Sequence, residues 1–150
     1  MESAVIMIRD QAPLRRGNLQ LPSGYTFEDF VKYLNGNIFF WPGTATGPIS
    51  YGIRHFERYQ RERPAILRFD IESLRLANPA INPLYCRYNS GSPRCSNGKK
   101  SSRGPHTFLT AARFNGTPSD VVEVTFTAPV VVPIDTELGG HPSGPWRSLF

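Results

Sequence analysis

The sequence contains only two cysteines among its 150 residues, and it has no long apolar run. Cys86 and Cys95 are too few for a disulfide framework, which predicts a reducing, cytoplasmic compartment. No segment approaches the roughly 18 apolar residues of a membrane-spanning helix, so no membrane partner is expected. No positively charged segment leads into an apolar stretch at Met1, and the sequence therefore predicts no secretory signal.

Motifs that would identify a common catalytic centre are also missing. There is no HExxH, CxxC or paired Cys/His cluster, and His55, His106 and His141 do not form a site by their spacing. No metal centre is therefore predicted. The GxSxG pattern of serine nucleophiles and the GxxxxGK[ST] spacing of a P-loop are both absent. These absences argue against the zinc, serine-hydrolase and P-loop classes.

Acidic residues are absent from a long central stretch, residues 73–119. The same stretch carries seven positive charges: Arg75, Arg87, Arg94, Lys99, Lys100, Arg103 and Arg113. A region with charge of one sign raises the local concentration of anions such as phosphate, nucleotide or nucleic acid. The alternative is a solvated loop that keeps the protein in solution.

Hydrophobic patterning predicts an α+β domain with a small mixed or antiparallel sheet and two main helices. The first helix is expected to begin at Thr26, which with Asp29 resembles a capping box, and the second to cover residues 49–63. A weak helical turn is expected at residues 72–76. Strands are predicted at residues 4–8, 37–41, 65–71, 84–88, 120–127 and 130–134, and residues 37–41 resemble a central strand buried on both faces. Residues 1–138 are expected to form one domain, followed by a flexible Gly/Pro/Ser-rich tail at 139–150.

The basic loop, defined here as residues 87–113, has the most unusual composition of any segment in the sequence. Glycine and serine allow backbone N–H groups to turn towards a ligand, and arginines bind phosphate through two donors. Ser90, Arg94 and Arg103 are therefore candidate ligand contacts. Tyr88 and His106, towards the two ends of the loop, are candidates for contact with a base or sugar. Outside the loop, Arg68 is a candidate for a positive charge that lines the cleft. The alternative is a long loop that is only mobile.

Glu123 is the second candidate for chemistry, because it is a carboxylate between Val122 and Val124 in an otherwise apolar strand. On an exposed face of the sheet it is an ordinary surface charge. On a face that lines a cleft it can stabilise a cationic intermediate.

Several segments together resemble an uncharacterised bacterial domain family over much of residues 5–135. The segments that carry this resemblance are Ile8-Arg9-Asp10-Gln11, Tyr33-Leu34-Asn35, Phe39-Phe40-Trp41-Pro42, Tyr88-Asn89-Ser90-Gly91-Ser92 and Arg103-Gly104-Pro105-His106-Thr107-Phe108. This resemblance implies no activity.

A more distant resemblance links Phe39-Phe40-Trp41-Pro42 and Val122-Glu123-Val124 to the ADP-ribosyltransferase-like fold, and in particular to its DNA-targeting members. It implies NAD as cofactor and Glu123 as the catalytic group that stabilises an oxocarbenium-like sugar as nicotinamide leaves. Those relatives carry an N-terminal segment that anchors NAD, and this chain is expected to begin where that segment would end. NAD is then bound differently, or the chain lacks transferase activity.

Two other classes remain as alternatives. A non-catalytic nucleic-acid-binding module would use the basic loop for phosphates and Tyr85, Tyr88 or Phe108 for base stacking. A structural domain would order its loop only on association with a protein partner, whose identity the sequence does not give.

Overall fold

The computed structural model describes residues 14–44 and 46–150. The predicted strand at residues 4–8 lies outside these residues. The described chain contains three α-helices: α1 (Phe27–Asn35), α2 (Ser50–Tyr59) and α3 (Ile71–Ala77). Its strands are β1 (Leu19–Gln20), β2 (Ile38–Phe40), β3 (Gly43–Thr44), β4 (Gly47–Pro48), β5 (Ile66–Arg68), β6 (Leu84–Cys86), β7 (Ser101–Ser102), β8 (Glu123–Phe126), β9 (Glu137–Gly139) and β10 (Arg147–Ser148).

The strands form small separate sheets. β8 lies between β2 and β6 in an antiparallel sheet, and β9 lies between β10 and β5 in a second antiparallel sheet. β3 and β4 form an antiparallel pair, whereas β1 and β7 pair in parallel. This architecture confirms the predicted α+β class, with a third helix in addition to the two that were expected.

Helix α1 begins where the sequence places it. The Thr26 hydroxyl accepts a hydrogen bond from Asp29 N at 3.0 Å, and Thr26 N donates to the Asp29 carboxylate at 2.9 Å. This capping box satisfies two backbone donors that a helix start leaves without partners. Phe30 and Leu34, one turn apart, are then buried on the inner face of the helix.

Helix α3 shortens the strand that was predicted at residues 65–71. Asp70 accepts hydrogen bonds from the N–H groups of Glu72 and Ser73, so it caps a new helix instead of continuing a strand. The predicted weak turn at residues 72–76 is therefore a full helix, and β5 ends at Arg68.

Strand β8 separates two hydrophobic cores. Val124 and Phe126 belong with Leu74 to one core. The other core consists of Leu14, Leu19, Phe30, Leu34, Cys86 and Phe108. Because side chains alternate along a strand, Glu123 lies on the face opposite to Val124, next to Cys86 on the neighbouring strand.

Two predicted strands are corrected by the structure. β2 is an edge strand of its sheet, not a central one, and Ile38 is 39% exposed. Residues 130–134 form no strand, and the Asn78 side chain binds both backbone groups of Val131, which strand pairing would otherwise use. Asn78 donates to Val131 O at 2.8 Å and accepts from Val131 N at 2.6 Å.

The segment that was predicted as a loose tail contains β10, which pairs with β9 in register Arg147 to Leu138. Trp146 lies against Gly139, where an added Cβ would come within 2.9 Å of the indole. Residue 139 therefore needs to be glycine for this contact. Among the described residues, none of the helices has the length and apolar composition that a membrane-spanning helix requires.

Candidate functional site

A cleft of about 300 Å³ opens between the first turns of α2 and the basic loop. It is lined by Tyr51, Arg54, Tyr88, Asn89, Ser92, Arg94 and Arg103. We call this site the Tyr–Arg cleft, because three of its residues are arginines and two are tyrosines. None of these lining residues is acidic, so the cleft is suited to an anion.

Helix α2 supplies Tyr51 and Arg54, which are three residues apart and so project from one side of the helix. The Arg54 guanidinium carbon lies 4.7 Å from the centre of the Tyr51 ring. Between them in sequence, Gly52 is buried where an added Cβ would come within 2.9 Å of Pro48 and 3.0 Å of Trp41. This close approach fixes where the first turn of α2 sits.

The basic loop supplies the other side of the cleft, and several bonds hold it in place. β7 pairs with β1, and Arg103 N extends that pairing by donating to Gln20 O at 3.0 Å. The Asn18 side chain donates to Pro93 O at 3.0 Å, and the Ser101 hydroxyl donates to Arg94 O at 2.7 Å. The loop is therefore attached to the N-terminal part of the described chain at Pro93 and at residues 101–103.

Arg103 is the buried cation of the cleft, with 8% of its surface exposed. Its guanidinium lies 3.7 Å from the centre of the Tyr88 ring and donates to Ser102 O at 2.9 Å and to Asn89 O at 3.2 Å. Nε has no hydrogen-bond partner within the described chain. Burial lowers the pKa of Arg103, because it disfavours the charged form.

Glu123 lies behind the segment that carries Asn89 and Ser92, and it does not line the cleft. It is 4% exposed, and its carboxylate accepts a hydrogen bond from Ser90 N at 3.1 Å. Burial raises the pKa of Glu123 to about 7, while hydrogen bonds from Ser90 and the charge of Arg103 act in the opposite direction. The interpretation of Glu123 as a surface charge is therefore wrong.

The structure brings together only some of the residues that the sequence singled out. Tyr88, Arg94 and Arg103 all line the cleft, whereas Ser90 is buried behind it against Glu123. His106 is exposed in the turn after Arg103 and does not line the cleft.

Arg68 lies in the other three-stranded sheet, apart from these residues. Its guanidinium pairs with the Glu137 carboxylate at 2.6 Å and lies 4.3 Å from the centre of the Trp146 ring. It is not among the residues that line the cleft.

The sequence analysis missed four lining residues: Tyr51, Arg54, Asn89 and Ser92. Tyr51 and Arg54 lie three residues apart in the first turn of a predicted amphipathic helix, but this spacing does not show that the helix packs beside the loop. The other two belong to the loop that was singled out. Within the described part of the chain, no group of three His, Cys, Asp or Glu side chains could hold a metal ion.

Comparison with known proteins identifies a family for this chain. The model of a family of unknown function, DUF7002, matches residues 1–135. The chain belongs to the DUF7002 family. The match includes every residue that lines the Tyr–Arg cleft as well as Glu123, and it ends before β9. No curated protein and no solved structure matches this DUF7002 chain.

Proposed function

We propose that this protein binds a nucleotide, NAD or a related one, in the Tyr–Arg cleft. The observation that carries the proposal is a cleft with three guanidinium groups and no carboxylate among its lining residues. Arginine binds phosphate through two parallel N–H donors, which gives both energy and orientation. The volume of about 300 Å³ is at the lower end of the range for small-molecule sites.

Arg103 supports this proposal further, because burying a charge without a partner is costly. Its guanidinium is held by two backbone carbonyls and the Tyr88 ring, and Nε has no partner within the described residues. No ion pair to Arg103 is formed by the described carboxylates. Glu123 interacts electrostatically with Arg103 but forms no ion pair with it, so a bound phosphate would supply the direct ionic contact that Arg103 lacks among the described residues.

ADP-ribosyl transfer is the reaction that we propose for bound NAD. Because Glu123 is buried behind the cleft and does not line it, it would stabilise positive charge on the ribose only at a distance, through its negative charge. In this reaction the bond between ribose C1′ and nicotinamide breaks, and an acceptor oxygen, that of water in the simplest case, bonds to C1′ and releases its proton. Glu123 must be ionised to contribute, so nicotinamide release should increase as the pH rises through about 7. If the wild-type protein binds NAD but releases no nicotinamide between pH 6 and 9, the transfer reaction is contradicted and only the proposed binding function stands.

Calorimetric titration with ADP and NAD at low salt tests the binding proposal. Arg54→Ala and Arg94→Ala should each weaken binding about tenfold, because each loses a charge-assisted contact to phosphate. Arg58→Ala is the matched control, since Arg58 is an exposed arginine of α2 outside the cleft. No binding of ADP or NAD at millimolar concentration would contradict the proposal.

Single-stranded nucleic acid is the second candidate ligand. It is favoured by exposed cations that continue from the cleft along the basic loop: Arg94, Lys99 and Lys100. A strand that contacts them should release counterions, so its affinity should fall steeply with salt. The double variant Lys99→Ala/Lys100→Ala should then weaken oligonucleotide binding and leave ADP binding unchanged.

We also propose a cytoplasmic location. Cys86 and Cys95 are both free thiols, which is the usual state in a reducing compartment.

A further inference from the structure

Each tyrosine of the cleft already has a guanidinium group over its ring. Arg54 lies over Tyr51 at 4.7 Å, and Arg103 lies over Tyr88 at 3.7 Å, both measured from the guanidinium carbon to the ring centre. These distances are within the range of cation–π attraction. One face of each tyrosine ring is therefore occupied by an arginine and is closed to a nucleobase.

Tyr88 has little ring surface left for a ligand. Besides its contact with Arg103, it packs against the core that contains Cys86 and Phe108. Its hydroxyl is held back from ionisation, because burial raises the pKa of Tyr88. The Tyr88 ring therefore packs against Arg103 and the core, and it does not offer a face on which a base could stack.

The three arginines come from separate points of the chain: Arg54 from α2, Arg94 from the basic loop before β7, and Arg103 from the same loop directly after β7. A terminal phosphate presents three acceptor oxygens at one point. Two linked phosphates offer more oxygens over a greater length, which suits guanidinium groups held on separate segments. Arg103 is also fixed in place by its two carbonyl contacts, so one cation is oriented before any ligand binds.

We infer that the Tyr–Arg cleft recognises the diphosphate chain of its ligand and does not select the base. The inference rests on the proposed nucleotide binding and narrows the ligand class to nucleoside diphosphates, dinucleotides and other compounds with two linked phosphates. The base of such a ligand lies outside the stacked Tyr–Arg pairs.

Competition between six compounds tests the ligand class: ADP, GDP, UDP, AMP, adenosine and inorganic pyrophosphate. ADP, GDP and UDP should bind with affinities within about threefold of one another, AMP about tenfold more weakly, and adenosine without measurable affinity. AMP or adenosine binding as tightly as ADP, or one base preferred by more than about tenfold, would overturn the inference while leaving nucleotide binding intact. If none of the six binds, the proposed function fails, and the inference fails with it.

A variant of Tyr51 tests whether its ring holds Arg54 in place or stacks on the nucleobase of the ligand. Tyr51→Leu removes the ring under Arg54 and should weaken binding of inorganic pyrophosphate and of ADP by the same factor, about threefold. Arg58→Ala, at an exposed residue of α2 outside the cleft, is the control and should bind both compounds as the wild type does. If Tyr51→Leu weakens only ADP binding, Tyr51 stacks on the base and the inference is wrong. Tyr51 is 36% exposed, so its substitution empties no core site.

Discussion

Glu123 is a carboxyl group in a place where its ionisation is costly. Its side chain is 4% exposed and lies on the face of β8 that it shares with Cys86 of β6. Burial raises the pKa of Glu123 to about 7, although Ser90 donates a hydrogen bond to it and Arg103 is nearby. In the unfolded chain its pKa returns to about 4.5. Between about pH 5 and 7, the folded protein therefore keeps a proton on Glu123 that the unfolded chain has lost.

This difference gives a pH dependence of stability with a definite sign. Because the folded state binds the proton more tightly, the free energy of unfolding should fall as the pH rises from about 5 to 8, by about 3 kcal/mol in total. Glu123→Gln should remove this fall. Urea unfolding at several pH values measures it, with Glu57→Gln, an exposed carboxyl of α2, as the control that keeps the wild-type slope.

Other carboxyl groups act outside this pH window. The pKa values of Asp29, Glu72 and Asp120 are lowered, mainly by hydrogen bonds, so any stability they provide is lost at lower pH. A slope between pH 5 and 8 that is the same in wild type and Glu123→Gln would show that Glu123 is not the group responsible.

At the scale of elements, the first turn of α2 is positioned by the absence of a side chain at residue 52. Gly52→Ala adds a Cβ within 2.9 Å of Pro48 and 3.0 Å of Trp41, and both nearby atoms are close to the backbone. The strain should cost about 1–3 kcal/mol, offset in part by about 1 kcal/mol of better helix propensity. Tyr51 and Arg54 should move with the helix, so ADP binding should weaken as well.

Denaturant unfolding and ADP titration of Gly52→Ala check both effects. Gly17→Ala is the matched control, because an added Cβ at Gly17 meets nothing within 4 Å. A Gly52→Ala protein with wild-type stability and wild-type affinity would mean that α2 adjusts freely and that its packing does not set the cleft.

Helix α1 was predictable from the sequence because its determinants are local. The Thr26/Asp29 capping box and the spacing of Phe30 and Leu34 lie within a few residues of one another. Strand order was not predictable in the same way. The apolar residues of β2 are covered by distant aromatic rings, since Phe39 contacts Phe108 at 5.7 Å between ring centres, and this pattern resembles that of a central strand.

The cleft was predictable only on its loop side. Its arginine-rich loop stands out in composition, and Arg94 and Arg103 were identified from it. Arg54 was not, because nothing near it in sequence shows that α2 packs beside a segment more than thirty residues away. The strand predicted at residues 130–134 failed for a similar reason, since the Asn78 side chain that binds the backbone of Val131 comes from the residue after α3, more than fifty residues away.

At the scale of the whole molecule, the cleft and the Arg68–Glu137 pair are built on different elements. The cleft lies between α2 and the basic loop, whereas Arg68 pairs with Glu137 and stacks on Trp146 in the sheet of β5, β9 and β10. We therefore expect Arg68 to support the second sheet and not to bind the ligand.

Arg68→Ala should lower the free energy of unfolding by about 0.5–1 kcal/mol, because the Arg68–Glu137 pair is partly exposed and such pairs contribute little. The affinity for ADP should stay within about twofold of wild type, since the site is separate. Unfolding and ADP titration on the same preparation measure both quantities, and a large loss of affinity would place Arg68 in the ligand site after all.

The two cysteines differ in a way that provides a labelling site. Cys95 is exposed and follows Arg94, a residue that lines the cleft, whereas Cys86 is buried, and burial raises the pKa of Cys86 to about 12. Thiolates, not thiols, react with electrophilic dyes. One dye should therefore attach to the folded protein, and a second only after unfolding. The natural sequence thus already carries a single attachment point for a fluorescent reporter, close enough to the arginines to respond when an anion binds.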